Sequence, residues 1–209
     1  MKARSAGQSL LEAIVASGII VTAVGAALTL VQSSINAAKE SDNRLIASNL
    51  AREGVEVVRA MRDSNWLAGN DWDQGLEGAG FDYSGVVIFD AATKSWSMDF
   101  GAGSLDDVET AVYRQVVTGG PEQPGMFLQG IPQPAGTDTT LFRRITHTRA
   151  LCSVVAGSTS NFINYELKAD GESCATEKIG IDVRSYVRWT SAGGDEREIH
   201  VVERMFNWR

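Results

Sequence analysis

The chain has 209 residues, 44% hydrophobic and 22% charged, with a mean hydropathy of −0.10. That suffices to bury a core in one or two domains and is too polar for a protein that crosses a membrane many times. Nineteen Lys and Arg against 26 Asp and Glu leave a net charge of −7, so no overall field favours phosphate and nucleic acid is not expected as a partner. Two cysteines exclude a disulfide-dense scaffold and a four-cysteine metal centre within the chain.

Charge and apolar character are segregated along the sequence. Lys2 and Arg4 form a short basic leader that ends in Ser5, Ala6 and Gly7, and from Ala13 to Ala38 no side chain is charged. As a helix that run would reach roughly 39 Å, against a hydrocarbon layer of about 30 Å. A buried core helix is the competing reading, but length and N-terminal position favour a single membrane span. The basic residues ahead of it assign the N-terminus to the cytoplasmic side. The small residues precede the apolar stretch instead of following it, unlike an ordinary secretory signal, so cleavage at Gly7 would keep the helix. Glu12 heads the apolar segment. A carboxylate costs about 2.5–3.5 kcal/mol at a bilayer centre, and less near the interface.

The string GQSLLEAIVA, Gly7 to Ala16, resembles the prepilin signature of type IV pilins and pseudopilins. In that family a peptidase cuts after Gly and a Glu stands fifth in the mature chain. The resemblance implies a leader over residues 1–7, cleavage between Gly7 and Gln8, N-methylation of Gln8, and a filament-core and membrane helix over 8–38. It assigns Glu12 to assembly, neutralising the amino terminus of a neighbouring subunit. An α-amine with a reference pKa of about 7.7–8.0 suits a carboxylate that is tolerable in an apolar setting only when paired. The implied partners are other pilin or pseudopilin subunits, prepilin peptidase, an inner-membrane assembly platform and membrane lipid. The chain departs from the family at Gln8, where Phe is usual and where Gln can cyclise and lose its amine. It also has no Pro before Pro121, so Gly18 and Gly25 are the weak points of the span, each costing about 1 kcal/mol relative to Ala.

Past Ala38 the pattern becomes amphipathic. Ile46, Leu50, Val57 and Met61 recur at helical spacing, with Lys39, Glu40, Arg44, Arg52, Glu56 and Arg59 on the other faces. The segment Leu50 to Trp66 resembles the minor-pilin branch, where the helix leaves the membrane and becomes the spine of a head domain, here residues 39–209. Asp63 to Gly80 reads as a Gly-rich loop anchored by Trp66, Leu67 and Trp72. Its Asn70, Asp71, Asp73 and Glu77 invite a calcium reading, but from Asp71 the fifth and sixth positions are Gly75 and Leu76, so the EF-hand pattern fails.

After the loop the period changes to two. Val86 to Phe89, a turn at Ala91 to Thr93, and the alternation of Trp96, Met98 and Phe100 predict a hairpin. All four prolines fall within Gly119 to Thr137, a long surface connection. Strands follow at Leu141–Leu151, Ile179–Thr190 and Arg197–Trp208, with a turn at Ser191–Glu196. In the second, Ile179, Ile181, Val183, Val187 and Trp189 share one face opposite Asp182, Arg184, Tyr186 and Arg188. The closing strands, ending in FNWR, again resemble minor-pilin heads. The fold class is α+β: a long N-terminal helix packed on an antiparallel sheet.

Cys152 and Cys174 fall in the exported head, where a bridge is favoured over two free thiols. It would close a loop of about 23 residues, restricting the unfolded chain by about 3 kcal/mol. No CxxC, HExxH, GxSxG, GxxxxGK[ST] or GxGxxG occurs. The two histidines, His147 and His200, sit in strand patterns as half-exposed positions. No catalytic residue, metal or cofactor is expected. A minor pilin-like subunit, a pseudopilin of a type II secretion or DNA-uptake system, and a single-span anchored extracellular domain or enzyme stand in that order.

Overall fold

The computed structural model describes residues 6–78, 83–116, 125–154 and 165–207. Helix α1 spans Ala6–Ala68 and the strands follow: β1 Ser84–Asp90, β2 Ser95–Asp99, β3 Ala111–Gln115, β4 Phe127–Leu128, β5 Thr137–Ser153, β6 Tyr165–Leu167, β7 Lys178–Thr190 and β8 Glu196–Phe206. This is one long N-terminal helix with an antiparallel eight-stranded sheet, an α+β layout. The chain divides into two compact units, Met1–Asn43 and Arg44–Arg209, with the division inside α1.

The 17-residue β5 organises the second unit. One of its edges pairs with β7 from Phe142 to Cys152, and β7 then pairs with β8. Its other edge is shared in succession by β3, β1 and β6. The alternation in β7 has the physical meaning expected of it. Ile179, Ile181, Val183, Val187 and Trp189 are all buried; Ile181 and Val183 pack with Val55, Val57 and Val58 of α1 in one core cluster, and Val187 and Trp189 with Ala47, Leu50 and Ala51 in a second. Burying a Val or Leu side chain fully contributes about 1.5–3 kcal/mol, so these two faces carry most of the head's stability. Gly54 lets the helix come close: a Cβ there would lie 2.3 Å from Ser185 Oγ and 3.2 Å from Thr146 Oγ1. A smaller core of Val86, Ala102, Leu105 and Ile145 lies on the opposite face of the sheet.

Several expectations change. Helix α1 runs six residues into the stretch read as a loop, because Gly69 supplies the left-handed terminus that stops it. Gly69 has φ 77°, its N–H donates to Trp66 O at 3.1 Å, and Asn70 N–H donates to Asn65 O at 3.0 Å, a Schellman cap. Leu67 is no anchor, being 91% exposed on the last turn; Leu76, fully buried, takes that place beside Trp72 and the half-buried Trp66. The connection Gly119–Thr137 is not all surface. Its residues 119–124 lie outside the described residues, but Phe127–Leu128 pairs with β3 as β4 and Gln129 is buried. Strand β5 exceeds the expected Leu141–Leu151 at both ends, and β8 closes at Phe206, with Trp208 outside the described residues. The β1–β2 hairpin forms as read. Asp90 nucleates its turn, its carboxylate accepting Ala92 N–H and Thr93 Oγ–H, both at 2.8 Å.

Candidate functional site

The N-terminal part of α1 combines two properties that rarely coexist in water. Every described side chain from Leu10 to Ala38 is exposed, including Leu10, Ile14, Ile19, Val21, Leu28 and Leu30 at 63–72%. The helix is long and apolar enough to cross a membrane, with a mean hydropathy of 2.3 over 18 residues and none of that window buried. Completing the burial of a dozen such side chains is worth on the order of 10 kcal/mol, a strong drive toward lipid or other helices.

Several polar groups in this run are satisfied by the helix itself. Ser17 Oγ donates to Ala13 O at 2.6 Å, Thr22 Oγ1 to Ile19 O at 2.9 Å and Thr29 Oγ1 to Ala26 O at 2.8 Å. Gln32 Nε2 donates to Asn36 Oδ1 at 3.3 Å. Hydroxyls bonded back to their own helix present no unmet donor to a bilayer. At Gly18 and Gly25, the expected weak points, α1 is continuous and a Cβ would meet nothing within 4 Å.

Gly7 and Gln8 lie in the first turn of α1, and the side chain of Gln8 falls outside the described residues. Glu12 is exposed one turn after Gln8 and directly before the uncharged run. Helical rise separates the two by about 6 Å along the axis, so both fall at the same end of the apolar segment.

The head joins Cys152 at the end of β5 to Cys174, with a Cα–Cα distance of 5.5 Å. The acids weighed for calcium do not converge on an open site. Lys178 Nζ bonds Asp73 Oδ2 at 2.8 Å and Glu77 Oε1, tying the post-helix loop to the start of β7. Asn70 and Asp71 are exposed. Among the described residues no group of three or more His, Cys, Asp or Glu side chains gathers around one point. His200 is exposed, whereas His147 is packed between Tyr83 and Tyr186, with ring centroids 5.4 and 4.9 Å away. Burial pushes the His147 pKa down, Arg149 and Arg184 add to that, and Asp170 and Glu198 oppose it.

Among the described residues three buried charges escaped the sequence reading, Arg62 on α1 and, within the sheet, Arg144 and Asp182. Arg144 points toward α1 from β5, only 2% exposed; Nε donates to Gln129 Oε1 at 2.7 Å and Nη1 to Leu50 O at 3.1 Å, with Glu53 at 3.4 Å. Desolvation lowers its pKa, which Glu53 counters. On the opposite face, Asp182 of β7 is completely buried amid Arg149, Arg184 and Arg204. Alternation alone marks Asp182 as facing away from the helix; its burial depends on strands that only the register brings beside it. No protein-family profile, curated protein or solved structure matches the chain.

Proposed function

We propose that the chain is a minor type IV pilin-like structural subunit. A prepilin peptidase cuts it after Gly7, Gln8 becomes the methylated amino terminus, and the apolar helix first holds the chain in the cytoplasmic membrane and then packs among the helices of a pilus. The head lies outside the cytoplasm and ends on the cell surface. Glu12 pairs with the amine of a neighbouring subunit, which removes the cost of two uncompensated charges in an apolar filament core.

One observation carries this reading: GQSLLEAIVA falls at the start of a helix whose following uncharged residues are all exposed. A core helix of a soluble protein would bury that face. The α+β layout is compatible with a pilin-like shape.

Mass spectrometry of the membrane-extracted protein tests the proposal. The mature N-terminal peptide should begin at Gln8 and carry one methyl group; a chain that retains Met1 to Gly7 would overturn it. Replacement of Glu12 by Ala should leave membrane insertion and head folding intact while sharply lowering recovery in sheared filaments. Equal recovery would sink the charge-pair role.

A further inference from the structure

We propose that Arg149, Arg184 and Arg204, gathered on the buried carboxylate of Asp182, form an oxyanion-binding site on the face of the sheet that points away from α1. This inference is independent of the pilin-like reading, because it concerns only the Arg44–Arg209 unit.

The cluster is built by register. Arg149 of β5 lies directly opposite Asp182 of β7, which in turn lies opposite Arg204 of β8, so three strands deliver an Arg–Asp–Arg row. Arg184 joins from two residues along β7. Asp182 Oδ2 accepts Arg184 Nε at 2.7 Å and Arg149 Nη2 at 3.4 Å, and Oδ1 accepts Arg204 Nε at 3.2 Å. Arg184 and Arg204 thus grip the carboxylate by Nε, the nitrogen nearest the chain, and their side chains remain 29% and 47% exposed.

The stoichiometry separates this arrangement from a structural ion pair. A single bidentate Arg neutralises a buried carboxylate and fills two of its about four acceptor positions. Here three guanidinia bring about fifteen N–H donors to about four acceptor positions. Among the described residues, the second carboxylate that ion-pairs with the cluster is Asp170, 3.5 Å from Arg149 and 46% exposed, so three guanidinia meet two carboxylates there. Like charges held this close repel, and a second anion relieves that repulsion. Burial of Asp182 fixes the arginines before any ligand arrives, so little ordering entropy remains to be lost on binding.

Aromatic groups stand on both sides. Tyr165 accepts Arg204 Nη1 at 2.5 Å through its hydroxyl, lies under the same guanidinium at 5.4 Å and touches Phe206 at 5.6 Å. On the other side Tyr186 lies between His147 and His200, at 4.9 and 5.2 Å. The ligand class is a phosphate, sulfate or carboxylate group.

The test is calorimetric titration of the full chain in neutral detergent at low ionic strength, where screening is least. The probes are inorganic phosphate, sulfate and glucuronate. Saturable one-site binding of at least one is expected, weakened about tenfold or more in Arg184→Gln and in Arg204→Gln. The anion-free unfolding midpoint is measured alongside, and the more exposed Arg204 carries the test if Arg184→Gln misfolds. Binding of phosphate and sulfate alone assigns a tetrahedral group; binding of glucuronate assigns a carboxylate. No saturation by any probe up to about 10 mM, or equal affinity in wild type and Arg204→Gln, overturns the site.

Discussion

One helix serves two environments, and the contrast between its ends is instructive. From Leu10 to Ile35 its Leu, Ile and Val side chains are 44–72% exposed, whereas Leu50, Val55, Val57 and Val58 are at most 5% exposed. Residue type does not distinguish the two, since both are aliphatic. Charge does: from Ala13 to Ala38 the first stretch lacks it on every face, and the second interleaves Arg52, Glu53, Glu56 and Arg59 with its apolar stripe. A one-sided apolar face is satisfied by one sheet, whereas an all-round one requires a medium that surrounds it.

The largest expected effect should break the symmetry between the halves. Ile181→Ala removes a fully buried side chain from the head core and should cost about 2–5 kcal/mol in denaturant unfolding, followed by Trp fluorescence. All five Trp lie beyond residue 60, so this signal reports the head. Ile19→Ala, at a position 63% exposed, should leave that midpoint unchanged. A shared loss would mean that the exposed stretch supports the head after all.

Glycine sharpens the contrast because one substitution should act with opposite signs. Gly54→Ala pushes a methyl to within 2.3 Å of Ser185 Oγ and should destabilise the head by about 1–3 kcal/mol. Ser185→Ala removes that atom and should restore most of the loss, since among the described residues the Ser185 hydroxyl has no hydrogen-bond partner. Gly18→Ala meets open space and should strengthen the N-terminal helix by about 1 kcal/mol, read as helicity by circular dichroism in detergent. Stabilisation by Gly54→Ala would refute the close approach of helix and sheet.

The smallest effect is a pH dependence confined to the head. His147 is held neutral in the fold by burial, with Arg149 and Arg184 reinforcing it and Asp170 and Glu198 opposing. As pH falls through about 6.5 the unfolded chain takes up this proton first. The contribution is therefore fully present above that pH and is lost as pH drops toward the lower folded value. His147→Phe keeps a ring between Tyr83 and Tyr186, and its unfolding midpoint should fall less than that of wild type between about pH 7.5 and pH 5.5. Parallel profiles would exclude His147 as the source.

Legibility followed the range of the interactions. The uncharged run, the amphipathic stripe and the alternation of Ile179 to Trp189 are local periodicities, and each could be read from neighbours in the chain. The end of α1 was legible in principle, because Gly69 marks the cap, but the polar Asp63, Ser64 and Asn65 before it imitate a loop. Leu67 misled for a related reason. Its hydrophobicity suggests an anchor, while the helical phase sets it on the exposed side.

Asp182 and Arg144 were beyond local reading. Asp182 meets Arg149 and Arg204 across sequence separations of 33 and 22, and Arg144 reaches Leu50 O across 94. Sequence by itself determined the segregation of an uncharged helix from a polar head and the two periodicities that build it, because both are properties of consecutive residues. Only the tertiary structure decided which charges are buried and which arginines converge, because strand register brings together side chains that the chain keeps far apart.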